Sequence, residues 1–273
     1  MSTGSTSTCE RLGPMVVRDD SDSAQRIAEE GLALRLLVGS GLHGTAVEGQ
    51  DDQDEMGVVV ESATAALGLR PFRHYIYRTQ PEGHPSGPGD LDLVVYGLRR
   101  YLDLALAGNP TILLPLFVPD VHVYLCDEHG EALREAASWI VSRRAGRRFR
   151  GYLNAQRRGM LGLRAGAGGV GRQEMVRRYG FDTKYAMHMV RLGLQGVELM
   201  ESGRITLPVP EPHLSWLREL RQGRRTRGEA LDAAADLEAR LEVLDTTSHL
   251  PPEPDRAAAD VWLAEQYRRR WAD

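Results

Sequence analysis

Apolar positions recur at helical spacing through "DSAQRIAEEGLA" (22–33) behind an Asp/Ser cap cluster, which predicts a helix. The following "LRLLVGS" predicts a buried strand that ends in a turn at Gly39 and Ser40. "EMGVVVE" reads as a second strand, "ESATAALGL" as a short helix or loop, and "FRHYIYRT", rich in aromatic and β-branched residues, as a third strand. A Gly/Pro loop, "QPEGHPSGPGD", leads into "DLDLVVYGLRRYLDLALAG", where a β-like start passes into an amphipathic helix closed by Gly108. "NPTILLPLFVPD" places Pro110 near a helix start, and "HVYLCDE" reads as another strand. From about residue 129 the period is helical nearly throughout, interrupted by "RAGAGGVG" (164–171), an extended "RITLPVP" (204–210) and "LPPEP" (250–254). The expected organisation is a flexible leader over 1–20, a mixed α/β unit over 21–140 and a mainly helical unit over 141–273.

The polar residues that interrupt this pattern carry the candidate chemistry. In "VGSGLHGTAVEGQDDQDEMGVVVE" (38–61) an apolar run breaks at Gly39 and Ser40, crosses a polar loop, and returns through "DDQDE". Asp52 and Asp54 are two apart, so on an extended chain both carboxylates leave the same face and can share a pair of hard cations, while Asp51 and Glu55 point the other way. A third carboxylate from a neighbouring strand would complete such a site, and "GDLDLVV" offers Asp92, with Asp90 as the same-face alternate. Gly39 and Ser40 end a strand where bare backbone N–H groups and a hydroxyl can grip phosphate oxygens. A lone Asp-x-Asp after a turn is common in surface loops; the combination with the Gly-Ser element and a second acidic strand start points to a metal site.

A second cluster lies on "YGFDTKYAMHMVRLGLQGVELMESG" (179–203). Lys184, His188, Arg191 and Gln195 follow helical spacings and form one polar stripe, with Asp182 placed to cap the helix. Three basic side chains with no acid among them suit a wall that meets a triphosphate. His43, in the glycine-serine loop, reads as a turn histidine, and the tryptophans at 216, 262 and 271 as packing anchors.

Composition narrows the class. Of 273 residues, 42% are hydrophobic and 26% charged, the balance of a soluble globular protein, and no run reaches the roughly 18 apolar residues of a membrane span. The net charge of -4 hides an asymmetry: carboxylates crowd 48–61, whereas arginines crowd 143–178 and 218–227. Two cysteines, Cys9 and Cys126, offer neither a disulfide framework nor a thiolate zinc site, and a cytoplasmic location is expected.

From about 34 to 205 the chain resembles the RlaP-like nucleotidyltransferases of the DNA polymerase β superfamily. The likeness rests on "GSGLHG", "DDQDEMGV", "RTQPEGHPSGPGDLDLVVYGLRRYLDLALAGNPT" and "YGFDTKYAMHMVRLGLQGVELMESGRITLP". The resemblance implies a small mixed sheet flanked by helices and followed by a helical domain, with NTP and two magnesium ions (manganese as a substitute) bound at the sheet's edge. Gly39 and Ser40 match the phosphate-gripping pair, Asp52 and Asp54 the paired metal ligands, and Asp92 the third carboxylate, which would help deprotonate an acceptor hydroxyl. The sequence departs from the pattern at Asp51, where a serine is usual.

The leading expectation is transfer of a nucleoside monophosphate from NTP to a hydroxyl of an unidentified acceptor, with Lys184, His188 and Arg191 steadying the triphosphate. Two alternatives stand beside it. One is a catalytically silent nucleotide sensor. The other is an enzyme acting on a tRNA or other RNA end, with RNA held by the arginine-rich 142–164 and with Phe149 and Tyr152 available for stacking.

Overall fold

The computed structural model describes residues 21–47, 49, 51–81, 84, 86–163 and 170–272. The expected leader with Cys9, and most of the glycine-rich 164–171, lie outside the described residues. The N-terminal elements run α1 (Asp22–Glu30), β1 (Leu32–Leu37), α2 (Gly39–His43), β2 (Gln53–Val59), α3 (Ala63–Leu67), β3 (His74–Arg78), β4 (Leu91–Gly97), α4 (Leu98–Leu106) and β5 (Val123–Cys126). Helices then follow one another: α5 (Glu128–Glu135), α6 (Ala137–Ile140), α7 (Arg143–Met160), α8 (Val170–Tyr179), α9 (Thr183–Ser202), α10 (His213–Arg221), α11 (Arg227–Thr247) and α12 (Arg256–Ala272). The fold is thus a mixed α/β sheet flanked by helices with a helical C-terminal part.

The five strands lie in the order β3-β4-β2-β1-β5. β2 and β4 are parallel and the other pairs antiparallel. Alternation along β2 divides its side chains between two layers. Met56 and Val58 enter the main core with Leu34, Leu36, Leu98 and Tyr101, whereas Val59 joins Ala24, Ala28, Tyr75 and Val95 beneath α1. In the β2–β4 register Asp54 stands opposite Asp92. The sheet therefore brings the two acidic strand starts side by side.

The main core continues without a break into the helical part through Phe149 and Leu153 of α7 and Met187, Met189 and Val190 of α9. Each such fully buried side chain contributes about 1.5–3 kcal/mol. α7 and α9 approach closely because Gly196 faces Phe149; a Cβ there would lie 2.7 Å from the phenylalanine Cβ. Asp182 caps α9, its carboxylate accepting from the Tyr185 N–H.

Two expected elements differ. No α-helix follows Pro110: Asn109 Oδ1 accepts from the Thr111 N–H at 3.1 Å, holding a turn, and the chain continues only into a short 3-10 helix at Leu114–Leu116 that contains Pro115. The extended 204–210 segment joins no strand; instead the Val209 N–H donates to the His43 carbonyl at 3.2 Å, clasping the loop after β1.

The C-terminal helix docks within the chain. The Tyr267 hydroxyl donates to Glu61 Oε2 at 2.9 Å, the Leu98 N–H donates to the same oxygen at 3.0 Å, and Trp271 Nε1 donates to the Glu61 carbonyl at 2.9 Å. Glu61 is only 2% exposed, and burial raises its carboxyl pKa. Tyr267→Phe removes one donor from this buried carboxylate and is expected to lower unfolding free energy by about 2 kcal/mol in urea titration; a loss under about 0.5 kcal/mol would contradict the account of how α12 is held.

Candidate active site

The turn after β1 is built around an acidic neighbour. Gly39 has φ +67°, and a Cβ on it would lie 1.9 Å from Asp54 Oδ2, so glycine's missing side chain lets the backbone press against that carboxylate. The Val38 N–H donates to the Asp54 carbonyl at 2.9 Å and fixes the turn to β2. Ser40 follows in α2, half-buried beside this contact.

Asp52, Asp54 and Asp92 converge, each offering an oxygen within 4.8 Å of the others, and all three are partly buried. Asp52 lies just before β2, Asp54 within it and Asp92 on β4. The alternates go elsewhere. Asp90 accepts from Thr79 Oγ1 and the Gly87 N–H, each at 2.9 Å, and so braces its own loop. Asp51 accepts from the Val47 N–H at 2.6 Å and faces Arg221 at 3.8 Å. Glu55, on the opposite sheet face, pairs with Arg35 at 2.5 Å.

Burial pushes the Asp54 carboxyl up to about 6, with the charges of Asp52 and Asp92 adding to the shift and Lys184 opposing it. At neutral pH Asp54 is ionised against that preference, and an oxygen donor set of this kind suits a hard divalent cation. Magnesium or manganese fits these residues on that ground.

Asp92 is oriented by neighbours that sequence spacing did not single out. Gln80 Nε2 donates to Oδ1 at 2.8 Å, Ser86 Oγ donates to Oδ2 at 3.0 Å, and Arg78 Nε lies 3.4 Å from Oδ1. These residues come from the end of β3 and the Gly/Pro loop. That loop's compositional signal marked a turn and gave no hint that it would brace a carboxylate.

The α9 stripe faces this centre. Lys184 is exposed and acts on Asp54; His188 and Arg191 are half-buried, and Gln195 is buried. Among the described residues none of the three basic side chains has a carboxylate partner, and Arg191 Nε, though shielded, has no hydrogen bond. Burial lowers the Arg191 guanidinium to about 10, so it remains a cation at neutral pH.

His43 is more than a turn residue. It is 3% exposed, its Nε2 lies 2.8 Å from Arg191 Nη1, and its Nδ1 lies 3.1 Å from the Gln195 side-chain nitrogen. Arg191 Nη1 also donates to Gln195 Oε1 at 2.7 Å. Arginine has only protons to give, so Nε2 must accept and the ring must be neutral. Burial, and then the charge of Arg191, hold the His43 pKa well below the ordinary histidine value; His188 is lowered by burial and by Arg191, Lys184 and Arg221. His43 thereby ties α2 to the stripe, a link that a lone histidine in a loop could not announce.

The arginines of 142–164 are largely occupied. Arg144 pairs with Glu253, Arg147 with Asp245 and Glu253, Arg150 with Glu242 and Arg157 with Glu238, while Arg143 Nη1 donates to the Asp245 carbonyl. Phe149 is fully buried and cannot stack on a base. Tyr152 is half-buried, accepts from Asn109 Nδ2 and lies beneath Arg148. This face of α7 serves the packing of α11.

Two outcomes follow from this geometry. Because folded His43 and His188 stay neutral while the unfolded chain protonates them below about 6.5, stability is complete above that pH and falls as pH drops through it. His43→Gln should flatten the slope of unfolding free energy below pH 6.5 by roughly 1 kcal/mol per pH unit; an unchanged slope in denaturant titrations would contradict the neutral ring. Gly39→Ala should displace the Asp54 carboxylate and weaken manganese binding, read by electron paramagnetic resonance, by about tenfold or more (about 1.4 kcal/mol). Unaltered affinity would show that the Gly39 contact does not shape the centre.

A family model described as the RNA repair pathway DNA polymerase beta family matches residues 18–265. No curated protein matches the chain. Among solved structures, a nucleotidyltransferase-like protein from Exiguobacterium sibiricum 255-15 is similar at 8% identity, over 90% of this chain and 73% of that one, with a TM-score of 0.29, a likeness too loose to carry an argument. With nearly its whole length matched and the acidic centre assembled at the N-terminal ends of β2 and β4, the chain belongs to the RNA repair pathway DNA polymerase beta family.

Proposed function

We propose that the protein is a metal-dependent nucleotidyltransferase that moves a nucleoside monophosphate from NTP to a hydroxyl on an acceptor. The single observation that carries this reading is the convergence of Asp52, Asp54 and Asp92 beside the Gly39-Ser40 turn and below the cationic stripe. Family membership supports nucleotidyl transfer as the general activity. Magnesium or manganese, when bound, neutralises triphosphate charge and acidifies the attacking hydroxyl.

In this reading the protein's own groups divide the work. Asp52, Asp54 and Asp92 hold the cations. The Gly39 and Ser40 backbone and the Ser40 hydroxyl grip the outer phosphates, which Lys184, His188 and Arg191 steady from the other wall. Neutral His188 offers a hydrogen bond rather than a charge. Asp92, held by Gln80 and Ser86, accepts the acceptor's proton. The acceptor oxygen bonds to the α-phosphorus, the bond to the β-phosphate oxygen breaks, and pyrophosphate leaves.

An RNA end is the acceptor favoured by the family's description as part of an RNA repair pathway. A silent nucleotide sensor is disfavoured, since such a protein has no need of three converging carboxylates. Incubation with α-labelled NTPs, magnesium and RNA or small hydroxyl acceptors is the direct test. Label transfer with pyrophosphate release is expected, with Asp52→Ala and Asp54→Ala each lowering it at least 100-fold (about 2.7 kcal/mol). Transfer that survives loss of both carboxylates would overturn the reading.

A further inference from the structure

A cavity of about 560 Å³ opens where α8, the start of α9 and the end of α10 meet the loop after α2. Its volume lies within the roughly 300–1,000 Å³ typical of small-ligand sites. Val47, Glu174, Arg178, Tyr179, Arg221 and Arg224 are among its walls. Three guanidinium groups therefore face one carboxylate in the lining. Arg178 and Arg224 are exposed and, among the described residues, have no carboxylate partner, although Arg178 lies 5.1 Å from the centre of the Tyr179 ring. On α7, by comparison, Arg144, Arg147 and Arg150 pair with acids, whereas the exposed Arg148 and Arg158 do not among the described residues.

Asp51 links the cavity to the acidic centre. Arg221 Nη2 lies 3.8 Å from Asp51 Oδ1, and Asp51 Oδ2 accepts from the N–H of Val47, which lines the same cavity. Asp51 precedes the metal-site Asp52. The charge of Arg221 reaches His188, and that of Lys184 reaches Asp54. Arg178 and Arg224 line the cavity and are not among the groups assigned above to the donor triphosphate.

Paired guanidinium forks recognise phosphate oxygens in bidentate fashion, and an unpartnered cluster of them is stabilised when such an anion arrives. A hydroxyl attacking at the acidic centre brings the rest of its molecule into the adjoining space. Resting on the transferase reading above, we infer that this cavity is an acceptor subsite in which Arg178, Arg221 and Arg224 bind a phosphate group carried by the acceptor, separate from the phosphates of the donor. Tyr179 supplies a ring beside that anion, and Glu174 sets a repulsive limit to where it can lie.

The probes are inorganic phosphate, ribose 5-phosphate and a short fluorescent single-stranded RNA, titrated by calorimetry or anisotropy without metal or NTP. Magnesium–NTP binding is measured separately. Arg178→Ala/Arg224→Ala is expected to keep the wild-type melting temperature, since both side chains are exposed. It should weaken at least one phosphate probe tenfold or more while changing NTP affinity less than twofold. Loss confined to the RNA identifies a strand phosphate as the ligand, and loss shared with ribose 5-phosphate identifies a phosphomonoester; both support the subsite. Phosphate-probe affinity that is unchanged in the double variant, or NTP affinity that falls in step, would overturn it. Asp54→Asn separates the two readings: it should abolish transfer while leaving probe binding intact. Arginine-dependent probe binding in a wild-type protein that transfers nothing would leave the subsite standing and remove the transferase reading.

Discussion

The convergence of three partly buried carboxylates at the starts of two parallel strands is the constraint around which this structure is organised. Asp54 and Asp92 are opposite one another because β2 and β4 run parallel in one register, and Asp52 joins them from the strand's entrance. Burial raises the Asp54 pKa, and the charges of Asp52 and Asp92 add to the shift. Among the described residues no direct salt bridge to Asp54 relieves this; Lys184 opposes it from a distance, while Arg78 reaches Asp92 at 3.4 Å. A divalent cation held among the three oxygens would relieve that cost.

The surrounding elements are arranged to keep that arrangement in place. Gly39 lets the turn press against Asp54, Gln80 and Ser86 fix the direction of Asp92, and His43 connects the Gly39-Ser40 turn to Arg191 and Gln195. The helical part is not an appendage to the sheet. α9 places its basic stripe across from the acids, the segment after it clasps the His43 carbonyl, and α12 returns to the sheet through Glu61. Charges of opposite sign, separated along the chain, are thereby brought within reach of each other, Lys184 acting on Asp54.

Much of this was legible in the linear pattern because it depends on local period. Strand alternation placed Asp52 and Asp54 together, Asp92 at the head of a neighbouring strand, and Lys184, His188 and Arg191 on one helix face, and Asp182 in its cap. Interactions that span distant segments were not legible. Nothing local distinguishes His43 from an ordinary turn histidine, since its partners lie about 150 residues away, as the contact to Gln195 shows. Gln80 and Ser86 were hidden in a loop recognisable only by composition. The dense basic run of α7 suggested a nucleic-acid surface, and the linear pattern could not show that acids from α11 and the loop beyond pair with several of its arginines. Phe149 likewise looked available beside them and is instead part of the core.

The central claim is that Asp52, Asp54 and Asp92 hold divalent cations against a bound triphosphate. Crystals soaked with manganese and a non-hydrolysable NTP test it most directly through anomalous scattering. The account predicts a manganese peak between the three carboxylates with phosphate oxygens beside Gly39 and Ser40. Density for the nucleotide elsewhere, with no anomalous peak among these aspartates, would contradict it.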